Sequence, residues 1–284
     1  MSQLSAIKDR RRAIINLRKV TNAMELVTKT KIAKVRNNAM NARNYQQAFQ
    51  DLASLVLGSL DTRQKKTEVP VRYVVGFFSQ KGFCGNFNDK LMHKLSATVR
   101  ELEPQHLHLI GKATSKWTYV FKRKFEHIEA KEKTYQQELR PLIALWQKVL
   151  AEKQPVEIYL VYNKLNSILD QQPTVEKIYP FVVDKKQTSA PLYEPDLETL
   201  SATLLVAYLD ACVEKVYWES VAGEYCSRLL SMKNANDNAA IIIDDLNLEY
   251  NKTRQSKITQ ELSEVVSAFD VLKLVQEKKK RDEE

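Results

Sequence analysis

Glycine and proline are distributed so unevenly along this chain that they constrain its architecture before any other feature. All eight prolines lie between residues 70 and 195, the first glycine is Gly58, and none follows Gly223. Segments 1–57 and 196–284 are therefore almost free of helix breakers, while the middle is punctuated like an ordinary α/β domain. At 1.5 Å per residue, a helix over 1–57 would run ~85 Å and one over 196–276 ~120 Å. A compact globule of this chain length has a radius of gyration of only ~19 Å. Helices of that length are expected to project as a rod, and a rod in water needs a partner face.

The apolar periodicity offers one. Ile7, Ile14, Leu17, Val20, Met24 and Val27 recur at three- and four-residue steps after one skipped turn. Ile258, Leu262, Val265, Phe269 and Leu272 keep a 4-3-4-3 rhythm, the seam of a coiled coil. Both seams are narrow with polar flanks, whereas helices of a globular bundle want wider apolar faces and frequent turn signals. The sequence thus predicts a coiled coil of the two chain ends.

Charge follows the same division. Of the net +9, residues 1–69 supply all, with 14 basic and 5 acidic side chains. Three scattered cysteines, Cys84, Cys212 and Cys226, form no CxxC pair and argue against a disulfide scaffold or a zinc ribbon. No apolar run approaches the ~18–20 residues of a membrane span. Asn16, Arg18 and Lys19 interrupt Ala13–Val20, which is therefore no signal-peptide core.

The middle reads as strands alternating with helices. Strands are expected at Val71–Phe78, His106–Gly111, Val156–Tyr162 and Thr174–Val183, the last broken by Pro180. Helices are expected at Lys90–Leu102, Lys112–Lys124 and Glu138–Lys153, which together suggest a small doubly wound sheet.

Little in this chain is suited to catalysis. No glycine stands five residues ahead of a Gly-Lys-Ser/Thr, so there is no P-loop. Gly82-Phe83-Cys84-Gly85-Asn86 sits where a phosphate cradle would, between a strand and a helix, yet has neither the GxGxxG spacing nor a suitable lysine. A tight strand–helix connection accounts for its glycines. His106 and His108 share a strand face, with a solvent-facing or edge position expected and no third metal ligand evident. The acids Asp244, Asp245 and Glu249 fit the wet face of the last helix. The basic first helix, from Lys8 and Arg10 to Arg36, invites a nucleic-acid reading, but no aromatic precedes Tyr45 to stack on bases. An acidic protein sleeve explains the charge as well.

Four stretches in order across the chain resemble the gamma subunit of F-type ATP synthases, the central rotor shaft. Lys19-Val20-Thr21-Asn22-Ala23-Met24-Glu25-Leu26-Val27 is similar to the family's first-helix motif, and Gly82-Phe83-Cys84-Gly85-Asn86-Phe87-Asn88 to its G-L-C-G-x-[LF]-N loop. Leu192-Tyr193-Glu194-Pro195-Asp196 matches L-Y-E-P-D. The most specific match runs from Arg228-Leu-Leu-Ser-Met232-Lys233 through Tyr250-Asn-Lys-Thr-Arg254-Gln255 to Ile258-Thr259-Gln260-Glu261-Leu262-Ser-Glu264-Val-Val. The chain departs from the pattern at Gln80, where the family has an acid, and at Phe269, bulkier than the usual residue.

The resemblance implies an antiparallel coiled coil of helices 1–60 and 195–284, the latter with a charged tail, and an inserted Rossmann-like α/β foot over 70–190. It implies a non-catalytic subunit, without cofactor or metal, in an H⁺- or Na⁺-transporting complex. Its partners would be the alpha and beta subunits of the catalytic hexamer, the epsilon subunit and the c-ring, with no nucleic acid. Contact with the membrane would come only through those partners, on the cytoplasmic face of a bacterial plasma membrane or the matrix face of a mitochondrial inner membrane. By match to the motifs, coupling contacts would centre on Met24, Arg254, Gln255, Thr259, Glu261 and Glu264, and the c-ring contact on Tyr193 and Glu194. Two other classes remain as alternatives: a basic coiled-coil nucleic-acid scaffold, and a small nucleotide-binding enzyme built on the central domain.

Overall fold

The computed structural model describes residues 3–57, 70–112, 125–152, 154–181 and 196–282. In chain order the elements are α1 (Gln3–Leu57), β1 (Val71–Phe77), α2 (Phe87–Leu102), β2 (His106–Ile110), β3 (Glu126–Ile128), α3 (Tyr135–Ala151), β4 (Val156–Leu165), β5 (Gln171–Tyr179) and α4 (Leu197–Asp282). They form two compact units, one of Leu26–Ser231 and one of Met1–Glu25 with Met232–Glu284.

The larger unit is built on a five-stranded sheet of order β3-β2-β1-β4-β5. β1 pairs parallel with β2 and β4, β2 pairs parallel with β3, and β5 closes the far edge antiparallel to β4. Period-2 alternation sends Tyr73, Val75 and Phe77 to one face and Val74 and Phe78 to the other. The first face packs under α3 and long stretches of α1 and α4, whose Val35, Ala39, Ala53, Val56, Leu209, Val213, Val216 and Tyr217 are buried there. The second is covered by α2 through Leu91, Met92 and Leu95. Helices on both faces of a mostly parallel sheet leave the strands dry on both sides, which is why they read as near-continuous apolar runs.

The sequence expectations hold for the four longer strands and for α2 and α3, with ends shifted by a few residues. The helix expected over Lys112–Lys124 lies outside the described residues, apart from Lys112. The sequence reading missed β3, whose three residues are too few to carry a period. That strand corrects the reading of His108, expected at the surface: β3 brings Glu126 to 3.2 Å from its ring, and the side chain is buried. Burial pushes the His108 imidazole below its ordinary value, against the pull of Glu126.

In the smaller unit α1 and α4 run antiparallel: Arg11 Nη1 donates to Asn247 Oδ1 at 3.1 Å, and Thr21 Oγ1 to Asn236 Oδ1 at 2.5 Å. Met232, Ala239 and Leu246 are buried at seven-residue steps, and half-buried Asn236, Ile243 and Tyr250 follow each by four, the rhythm of a coiled-coil seam.

Candidate coupling surface

The seam that α1 buries is only partly the expected one. Ile7 is buried and Ile14 and Met24 are half-buried, but Leu17, Val20 and Val27 are exposed. Thr21, Glu25 and Thr28 take inner places instead. Asn236 makes this possible: its carbonyl accepts from Thr21 and its amide donates to Glu25 Oε2 at 2.7 Å. Polar groups that satisfy one another can be buried at little cost. A buried asparagine also fixes the register of a helix pair. Arg11 adds a cation–π contact, 5.4 Å from the Tyr250 ring centroid.

The second seam is corrected outright. With Arg11 level with Asn247, the start of α1 at Gln3 falls level with about Gln255. Beyond Thr253 the described side chains of α4 are all exposed. Ile258, Leu262, Val265, Phe269 and Leu272 therefore have no facing helix among the described residues; Leu262 is 61% and Phe269 68% exposed. Val266 widens the same apolar stripe. Unequal helix lengths are the cause, since an antiparallel pair ends where the shorter member ends.

Of the candidate coupling residues, Arg254 and Gln255 sit where the helix pair ends, and Thr259, Glu261 and Glu264 on the single-helix stretch. Arg254, Gln255, Thr259, Glu261 and Glu264 are all exposed. Thr259 Oγ1 donates to the Gln255 carbonyl, Gln260 Nε2 donates to Glu264 Oε1, and Lys257 pairs with Glu261 at 3.6 Å. Met24 is not among them. It lies level with Asn236, ~27 Å along the helix from Arg254. Tyr193 and Glu194 lie outside the described residues.

The Gly82–Asn86 loop has a different use from a phosphate cradle. The backbone N–H groups of Gln80 and Lys81 donate to Glu224 on α4, at 2.9 and 3.1 Å, so a carboxylate of the chain itself fills the anion seat. Arg228 pairs with Glu224 and donates to the carbonyls of Lys81 and Gly82, both at 3.1 Å. Ser227 Oγ donates to the Cys84 carbonyl at 2.7 Å. Gly85 takes φ +56°, and a Cβ there would stand 2.7 Å from Ser231 Oγ. Between the glycines Phe83 adopts φ +62° with its ring 70% exposed. Cys84 is buried, and burial pushes its thiol up, away from the reactive thiolate. The motif and the Arg228 signature are two halves of one clamp between sheet and helix. Each half is a contiguous motif in the sequence, but 146 residues separate Gly82 from Arg228, so no local pattern joins them.

Among the described residues no three His, Cys, Asp or Glu side chains gather to hold a metal ion. None of the described helices is long and apolar enough to cross a membrane.

These features define a coiled-coil protein with an inserted α/β unit and an apolar helical extension left uncovered. The family model described as ATP synthase matches residues 3–272. The ATP synthase gamma chain of Polynucleobacter asymbioticus is 30% identical over 288 residues, covering 94% of this chain and 98% of that one. The gamma chain of Variovorax paradoxus is 31% identical, covering 92% and 95%. The fold is like that of the rotor structure of Euglena gracilis mitochondrial ATP synthase, with a TM-score of 0.62 at 17% identity, covering 90% of this chain and 98% of that one. The chain belongs to the ATP synthase gamma-chain family.

Proposed function

We propose that this chain is the central rotor stalk of a membrane-associated F-type ATP synthase, a non-catalytic subunit that couples rotation of an ion-driven c-ring to ATP synthesis or hydrolysis at the beta subunits. The observation that carries the reading is the uncovered end of α4. An apolar stripe of this size on a soluble helix needs a cover, and the near-full-length likeness to gamma chains supplies a sleeve of alpha and beta subunits as that cover. The epsilon subunit and the c-ring complete the partner set. The stalk is peripheral, on the cytoplasmic face of a bacterial plasma membrane. Its angle biases which beta site is open or closed, a population shift imposed by contacts that differ among three sites.

Co-expression with alpha and beta subunits tests this. The expected result is a stoichiometric complex with ATPase activity. Recovery of the chain alone, bound to nucleic acid with a steep salt dependence, would replace the stalk by the scaffold reading. Nucleotide binding by the isolated chain would point instead to an enzyme.

Arg254 heads the coupling surface. A guanidinium held against a sleeve carboxylate at some rotor angles only is a charge-assisted contact of ~1.5–3 kcal/mol. Arg254→Ala is therefore expected to slow turnover by roughly tenfold while leaving assembly near normal. Equal loss of both would make the residue structural. Tyr193 and Glu194 are proposed to hold the polar loops of the ring. Glu194→Lys should leave hydrolysis by the detached catalytic complex intact and lower ion pumping by the membrane-bound one. An unchanged ratio of pumping to hydrolysis would remove Glu194 from the contact.

A further inference from the structure

The larger unit carries a second feature that the stalk role does not use. Side chains from α1, α3 and α4 line a concavity of about 480 Å³: Asn38, Asn41 and Tyr45 from α1, Tyr135 from α3, and Glu214 and Trp218 from α4. The aromatic wall is held in place. Trp218 Nε1 donates to the Tyr135 hydroxyl at 3.2 Å, and that hydroxyl donates to Glu214 Oε1 at 2.7 Å. The Tyr135 ring stacks on Tyr217 with centroids 4.3 Å apart and meets Trp218 edge-on at 5.4 Å. The Tyr135 phenol is pushed up to about 12 by burial and by its bond to Glu214, so it remains a donor at neutral pH.

What sets Glu214 apart is how few donors it has. Glu157 has Arg72 and Lys177, Glu176 has Lys215, Glu219 has Arg43 and Glu224 has Arg228. Half-buried Glu138 has no cation, but both its oxygens accept, from the Lys131 N–H and from Thr134 Oγ1, and half-buried Asp170 accepts from the amides of Asn166 and Gln172. Glu214 has only a phenol, and among the described residues no cation pairs with it. Its second oxygen is left for a donor from outside. A half-buried carboxylate in a concavity that Tyr45, Tyr135 and Trp218 also line suits a planar cation, which can stack on an indole and present its N–H fork to the acid.

We propose that this pocket receives an arginine side chain from a neighbouring subunit. A polypeptide source is taken from the stalk reading, in which the chain works inside an assembly. The contact anchors that subunit to the sheet-bearing unit. Arginine fits better than lysine, since a point-like ammonium could meet the carboxylate but would not stack along Trp218.

Photocrosslinking in cells that express the full chain tests the pocket whatever the partner proves to be. Tyr45 is 47% exposed at the rim and can carry p-benzoylphenylalanine. The expected adduct lies within about one helical turn of an arginine on another polypeptide. Replacing that arginine by glutamine, or Glu214→Gln, should each weaken retention of the partner roughly tenfold, and the double variant should lose little more. Glu214→Asp should restore part of the binding, and an unchanged unfolding midpoint for Glu214→Gln excludes a folding defect. The proposal is overturned by adducts confined to this chain, by adducts remote from any arginine, or by additive losses in the double variant. Absence of alpha and beta subunits from the purified material is a separate result, and it bears on the stalk reading alone.

Discussion

Arg228→Leu is expected to destabilise the sheet-bearing unit by ~3–5 kcal/mol, the usual cost of removing one partner from a buried ion pair. Both members are nearly inaccessible, Glu224 at 4% and Arg228 at 5%. Without the guanidinium the carboxylate of Glu224 stays buried and the carbonyls of Lys81 and Gly82 lose their donor. For a unit of this size the loss corresponds to a fall of roughly 10 °C in unfolding midpoint, readable by circular dichroism. The pH dependence has a definite sign. Burial already pushes the Glu224 carboxyl up, against the pull of Arg228 and the two backbone donors. Removing Arg228 pushes it further, so the folded state takes up a proton more readily than the unfolded chain. Stability of the variant should therefore rise as pH falls from neutrality toward ~5, narrowing the gap to the parent. A variant within ~1 kcal/mol of the parent, or one whose deficit grows on acidification, would show that the clamp contributes little.

Gly111→Ala is the second large effect. Gly111 follows β2 with φ +116°, where L side chains are strained. A Cβ there would stand 2.4 Å from the Phe78 carbonyl oxygen and 2.8 Å from its carbon, both backbone atoms that cannot swing aside. The N–H of Phe78 donates to the Ile110 carbonyl and that of Gly111 to the Ile128 carbonyl, so relief by backbone movement would break bonds at β1, β2 and β3 together. Strain and overpacking together are expected to cost ~2–5 kcal/mol. Thermal unfolding, with hydrogen exchange at the β2 and β3 amides, would check this; full protection of β3 in the variant would rule it out.

Residue by residue, the sequence was most informative where a long period repeats. Helix α2, helix α3 and the four longer strands lie close to where their apolar patterns put them, because burial on a regular element imposes that pattern. It was least informative about which of two neighbouring stripes a long helix buries. Leu17, Val20 and Val27 make a better apolar stripe than Thr21, Glu25 and Thr28, yet the polar stripe lies inside. The reason is Asn236, a residue more than 200 positions away whose amide satisfies both Thr21 and Glu25.

The candidate coupling residues show the same limit. Motifs placed Arg254, Gln255, Thr259, Glu261 and Glu264 on one helix, where they are, but the separation of Met24 from them follows from an antiparallel register that no local pattern encodes. Glu214 gave no signal at all, since a lone glutamate on a helix gains meaning only when Tyr135 and Trp218 close around it.

By itself, then, the sequence determined the breaker-free terminal helices, the α/β middle and the family, since each is written in local spacing or in contiguous motifs. Tertiary structure decided how those helices divide: residues 26–57 and 197–231 go to the unit built on the sheet, residues 3–25 and 232–253 pair with each other, and α4 beyond Thr253 is left uncovered. A helix buries whatever face its neighbour can satisfy, and its neighbour is fixed by register and chain length across the whole fold.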